Sequence, residues 1–174
     1  MSTTLTIPSE AEQLVRCLNE TDEWQALNKF ERECADRPQL PCPLRHTFTP
    51  VPGYPELHLY AREIVMPKGG LFTSRIHLYK HPFVISSGVL SIWSADHGWQ
   101  LFRAPYSGVT LPGARRALFI HETTTFTTFH VTKLTDPEKI VEEVTFDPME
   151  LNHLAGLDPA KLAEISANMK GLPK

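Results

Sequence analysis

At 174 residues, with 41% hydrophobic and 21% charged side chains and a formal net charge of −3, the chain has the make-up of one globular domain with a short appendage. That balance offers nothing to nucleic acid or to an anionic membrane surface. No apolar run approaches the roughly 20 residues of a membrane span. The opening MSTTLTIPSEAEQ lacks a basic region followed by an apolar core, so cytoplasmic residence is expected.

Residues 8–35 carry a helical pattern. Ser9 is a candidate cap, with Glu12 three residues on as its partner. Leu14, Val15, Leu18, Trp24, Leu27 and Phe30 recur at helical spacing, and Asn19-Glu20-Thr21-Asp22 offers a break into two helices. No catalytic constellation lies in this segment, so a packing or dimerisation arm is expected. Residues 36–56 hold Pro38, Pro41, Pro43, Pro50, Pro52 and Pro55, a density that forbids helix and disfavours a central strand. An extended connector with a short edge strand over 45–49 follows. The three cysteines, Cys17, Cys34 and Cys42, are odd in number and irregularly spaced. They read as reduced thiols rather than a disulfide framework or a structural zinc site.

From residue 56 the text is strand after strand: 57–66, 71–80, 83–86, 89–94, 99–104 and 109–111. A final hairpin of 115–121 and 126–131 turns across 122–125. Short strands punctuated by glycine or proline every 8 to 12 residues indicate a sandwich or barrel. Neither a glycine-rich phosphate loop nor a G-x-S-x-G elbow is present. Thr135-Asp136-Pro137-Glu138 then starts a helix over 135–146, with Thr135 as cap and Glu138 as box acid. A last helix over 160–169 ends at Gly171 and Pro173. These helices are expected to cover an open sheet edge or a partner subunit.

The chemistry concentrates in residues 69–88, GGLFTSRIHLYKHPFVISSG. A period of two puts Thr73, Arg75, His77 and Tyr79 on one face of a strand and Phe72, Ser74, Ile76 and Leu78 on the other. His81 follows at the strand's end, before Pro82. Residues four apart on a straight strand stand about 13 Å apart. His77 and His81 can share a metal ion only if the chain bends near Lys80. Their alternative role is that of buried, hydrogen-bonded histidines.

The section from Gly69 to His130 resembles the cupin superfamily, small double-stranded β-helix (jelly-roll) barrels. In the first cupin motif, Arg75 and His77 fall on the two histidine positions, His81 on the acid and Gly88 on the closing glycine. The first histidine and the acid are therefore replaced. Leu111-Pro112-Gly113 stands for the second motif's turn, but its histidine falls at Arg116 or Ala117 and is missing. A four-residue turn over 122–125 would pair Ala117 with His130 and His121 with Phe126. His130 would then lie across from the vacant ligand position. More narrowly, HPFVISSGVLSIW, PGARRALFIHETT and TTFH look like small cupin-like proteins of tailed phages and prophages, a group that implies the fold and no activity.

The expectation is an all-β cupin barrel with an N-terminal helical arm and C-terminal helices. Its divisions are residues 1–44 (arm and proline-rich connector), 45–133 (barrel) and 134–174 (helices). A divalent metal (Fe, Mn, Ni or Zn) would sit on His77, His81, His130 and His121, with His121 also a candidate base beside Glu122. Arg75, Tyr79 and Glu122 are candidate ligand-binding residues. Arg75, in a ligand slot, would face the interior as an anion anchor. Arg115 and Arg116 read as a solvated pair. Two functions stay open. One is a small-ligand-binding or oligomeric, regulatory cupin-like protein. The other is a metal-dependent cupin enzyme, of oxygenase or isomerase type, acting on a small anionic molecule. The resemblance also implies a homodimer.

Overall fold

The computed structural model describes residues 23–94 and 97–146. The expected helical residues 8–22 and the last helix over 160–169 lie outside them. The described chain is mostly antiparallel β-structure, with two helices, α1 (Glu23–Ala35) and α2 (Pro137–Val144). Among these residues no helix is long and apolar enough to cross a membrane.

Strands β1 (Leu44–Val51) and β2 (Tyr54–Met66) form a hairpin through Gly53. β1 is the sheet's edge, where Pro50 can be tolerated. After β3 (Leu71–Thr73) and β4 (Ile76–His77) come β5 (His81–Ser94), β6 (Gly98–Arg103), β7 (Tyr106–Thr110) and β8 (Ala117–Thr132). β5 and β8 are the long central pair. β2 and then β3 cover the far edge of β8, and β7 and then β6 cover the far edge of β5. The short β9 (Thr145–Phe146) pairs with β4 alone, as a separate two-stranded sheet.

Three expected elements differ. The hairpin across 122–125 does not exist, because β8 runs through it as one strand of 16 residues. Glu-Thr-Thr-Thr contains no residue suited to a positive φ, and β-branched threonines favour extended backbone. The turn at Ser87-Gly88 is instead an irregularity inside β5, where the pairing with β8 shifts. Gly88 has φ +88° there, and a Cβ would stand 2.4 Å from the Thr123 carbonyl oxygen. Glycine thus supplies both a backbone shape and a close approach. Finally, the strand over 71–80 is broken. Ser74 leaves the β8 edge, its N–H donating to the Arg116 carbonyl, and the chain re-pairs at Ile76 with Phe146.

The barrel interior is filled by Met66, Phe83, Ile85, Leu90, Ile92, Leu118 and Ile120. On the outer face α1 lays Leu27 and Phe30 against Trp93 and Ala117. α2 brings Ile140 and Val144 onto Tyr60. Its cap is Asp136 rather than Thr135: the Asp136 carboxylate accepts from the Glu138 N–H at 3.0 Å, with Pro137 opening the helix.

Arg115 and Arg116 are not a solvated pair. The Arg115 side chain is 1% exposed and ion-paired with Glu31 of α1 at 2.7 Å; it also donates to Asn28 Oδ1 at 2.9 Å. Removing Glu31 strands a buried guanidinium, whereas removing Arg115 leaves a carboxylate that water can reach. Glu31→Ala is therefore expected to cost about 3 kcal/mol, and Arg115→Met clearly less. Urea unfolding of both variants checks the asymmetry, and equal losses would contradict it.

Candidate functional site

One transverse row of the barrel carries the site. Phe48 pairs with Tyr60, Tyr60 with His130, and His81 with Thr110. The β5–β8 pairing, which runs through Phe83 and Thr128, brings His81 beside His130, and their ring centroids are 4.3 Å apart. His77 joins from β4. Its ring lies 4.6 Å from that of His81, so the chain does bend between them.

The backbone of His77 is held from several sides. Its N–H donates to the Ala114 carbonyl at 3.1 Å, and its own carbonyl accepts from Gly113 at 2.7 Å. It pairs with Thr145 of β9, and Leu78 donates to the Val144 carbonyl. The α2–β9 segment is thus part of the wall that fixes His77.

His81 Nδ1 lies 3.0 Å from the Tyr79 carbonyl oxygen. A carbonyl only accepts, so Nδ1 carries the proton and Nε2 presents a bare lone pair. That Nε2 and His77 Nδ1 are both buried and have no hydrogen-bond partner. Tyr60 is engaged elsewhere, its hydroxyl 2.7 Å from His46 Nδ1.

His77 and His130 line a cavity of about 250 Å³, and His81 packs its ring against both of them. Arg62 and Arg116 line it too, and its apolar wall includes Ile64, Met66, Phe72, Leu118 and Phe126. Arg116 donates to Thr110 Oγ1 at 3.2 Å and lies over the Phe83 ring, 5.6 Å from its centroid. A second cavity of about 450 Å³ adjoins Arg116 and Ile92 and contains none of the three histidines.

The electrostatics follow from this crowding. Burial lowers the pKa of His77 to about 3, with further depression by His81, Arg116, His130 and Arg62. Burial, then His81 and Arg62, lower His130 to about 4. His81 is lowered by burial and Arg116, partly offset by its bond to the Tyr79 carbonyl. Burial also lowers the pKa of both Arg62 and Arg116. Three neutral imidazoles are the donor type that divalent first-row metals take. The orphaned ring nitrogens fit such an ion chemically. As placed, however, no three His, Cys, Asp or Glu side chains among the described residues form a ready-made metal site.

The other expected site residues lie elsewhere. His121 is buried on the opposite face of β8, 2.8 Å from Ser91 Oγ and edge-on to Phe119. Because β8 is continuous, odd and even positions oppose one another; Leu118, Ile120 and Phe126 pack inward and His121 cannot. Glu122 and Tyr79 are exposed, and only the Tyr79 carbonyl reaches the cluster. Arg75 is exposed at the cavity's rim, not inside the barrel, because the strand breaks at Ser74. The residues that sequence reasoning missed are Arg62, Arg116 and Tyr60. In the strand over 57–66 the alternate faces carry Glu63 and Arg62, so neither reads as the inner one. For Arg116 the signal was its place in the second-motif ligand slot.

No family model and no curated protein matches the chain. Among solved structures it is similar to a Cupin_2 domain of an XRE family transcriptional regulator from Enterobacter cloacae. There the TM-score is 0.40 at 15% identity, over 51% of this chain and 95% of that one. A cupin-2 domain protein from Shewanella frigidimarina gives 0.37 at 13%, over 58% and 90%. A cupin domain from Bordetella pertussis gives 0.37 at 15%, over 55% and 99%. Cupin domains are thus among its structural neighbours, but likeness at TM-scores below 0.5 by itself assigns neither family nor activity.

The buried histidines set a pH dependence. Their folded pKa values lie below the unfolded value of about 6.5, near 3 for His77 and 4 for His130. As pH falls below about 6.5, the unfolded chain takes up protons that the folded chain refuses, so stability falls with pH. Unfolding of EDTA-treated protein between pH 7.5 and 5 is expected to show this loss, with a shallower slope in His130→Gln. The same slope in both proteins would contradict the neutral cluster.

Proposed function

We propose that this chain is a cupin-like barrel, a double-stranded β-helix over about residues 45–133, that binds a small molecule in its histidine-lined cavity. The observation that carries the reading is a cluster of three neutral imidazoles at that cavity, His77 and His130 lining it and His81 packed against both, with orphaned buried nitrogens on His77 and His81. The motif resemblance around His77, His81 and Gly88 supports it independently. The runs HPFVISSGVLSIW and PGARRALFIHETT support placement with the small cupin-like proteins of phages and prophages. A homodimer belongs to the reading on the cupin resemblance alone, and cytoplasmic residence on the composition of the opening residues alone.

The orphaned nitrogens favour a second element: a divalent metal (Fe, Mn, Ni or Zn) on His77, His81 and His130. Small ring rotations of the kind metal binding brings would be needed, since the donors are not converged as placed. With three protein ligands such an ion would keep open positions for a substrate, supplying Lewis-acid or redox chemistry. That is the ground for the alternative reading as a metal-dependent enzyme.

Elemental analysis of untagged protein, as purified and after anaerobic reconstitution, tests the metal. Near-stoichiometric metal is expected, lost in His77→Ala and kept in His97→Ala. No metal under either condition, or unchanged metal in His77→Ala, would leave a metal-free binding barrel.

A further inference from the structure

Two cations reach the cavity without a counter-charge. Among the described residues neither Arg62 nor Arg116 is ion-paired with a carboxylate. Both side chains are half-buried, so water compensates them only in part. Arg116 has the Thr110 hydroxyl and the Phe83 ring, which are neutral partners. The histidine trio adds no negative charge. Much of the remaining lining is apolar, with Ile64 and Met66 on the same strand face as Arg62, and Phe72 and Phe126. The site is small as well. A cavity of about 250 Å³, at roughly 30 Å³ per water-sized atom, holds on the order of eight non-hydrogen atoms.

We infer that the cavity takes a small organic carboxylate, its anionic head between Arg62 and Arg116 and its short tail against Ile64, Met66, Phe72 and Phe126. Guanidinium forks match the two oxygens of a carboxylate, and each charge-assisted bond is about twice as strong as a neutral one. A dianion such as inorganic phosphate matches the charges but leaves the apolar wall unfilled. A neutral ring fills the wall but leaves both guanidiniums uncompensated. Desolvation works against the charged form of each arginine, and an anion bound between them would relieve that. The inference rests on the reading of this cavity as a ligand site but does not require the metal.

The test is calorimetric titration of EDTA-treated, full-length protein with benzoate, isobutyrate, benzamide and inorganic phosphate. At least one of the two carboxylates is expected to bind, with benzamide and phosphate each at least tenfold weaker. Arg62→Gln and Arg116→Gln are each expected to weaken carboxylate binding tenfold or more, and Arg103→Gln, at an exposed residue outside the cavity lining, less than threefold. Comparison of the four ligands on unmodified protein stands even where a variant misfolds. Benzamide or phosphate binding as tightly as the carboxylates would overturn the inference. So would carboxylate affinity unchanged in both folded arginine variants. Zinc uptake on the same protein separates two failures. Zinc bound through His77 with no carboxylate binding overturns the carboxylate inference alone, while binding of neither overturns the ligand-site reading with it.

Discussion

Two guanidinium groups that stay charged at every ordinary pH share a small, largely apolar cavity with the imidazoles of His77 and His130, and His81 packs against both rings. In such surroundings, additional positive charge is costly twice over, through lost hydration and through repulsion. The histidines are therefore held neutral, and on His81 the bond from Nδ1 to the Tyr79 carbonyl leaves Nε2 as a free lone pair. One physical constraint thus produces the two properties of the site. It offers neutral nitrogen donors, and it offers uncompensated positive charge to an anion.

The fold supplies this arrangement by joining distant segments. β5 and β8 run side by side for most of their length, which brings His81 next to His130. Gly88 lets those strands shift register without parting, because no Cβ stands between it and the β8 backbone. His77 comes from a separate two-stranded sheet that exists only because β9 returns to pair with β4. α2, immediately before β9, closes the same end over Tyr60. The ion pair of buried Arg115 with half-buried Glu31 ties α1 to the loop that leads into Arg116. The site is consequently as firm as contacts between elements far apart in sequence can make it.

Much of this was legible in the chain, and the remainder was not for identifiable reasons. Turn residues and alternation gave the antiparallel strands. His77 and His81 stood out by type and motif position and His130 by an assumed hairpin register, and the three rings do meet. His130 arrives by a different route from the expected hairpin, as the neighbour of His81 across β5 and β8. The hairpin itself was misread because a run of polar residues at 122–125 looks like a turn, whereas its threonines are good strand formers. Ser87-Gly88 was read as a turn because local sequence cannot distinguish a turn glycine from a bulge glycine. Arg75 was placed inside by extending one period across Ser74, where tertiary pairing breaks the strand. Arg62 could not be assigned a face because both faces of its strand carry one charge. What local pattern leaves open at these positions is decided by pairing between segments more than 30 residues apart.

The protonation state of the imidazoles is the point on which the account turns. Nitrogen-15 NMR of the histidine rings in metal-free protein at pH 5.5, assigned with single His→Gln variants, reads it residue by residue. The expected spectrum shows His77 and His130 neutral at a pH where an ordinary histidine is mostly imidazolium, and the neutral form of His81 carrying its proton on Nδ1. An imidazolium signal from His77 or His130 under those conditions would contradict the account.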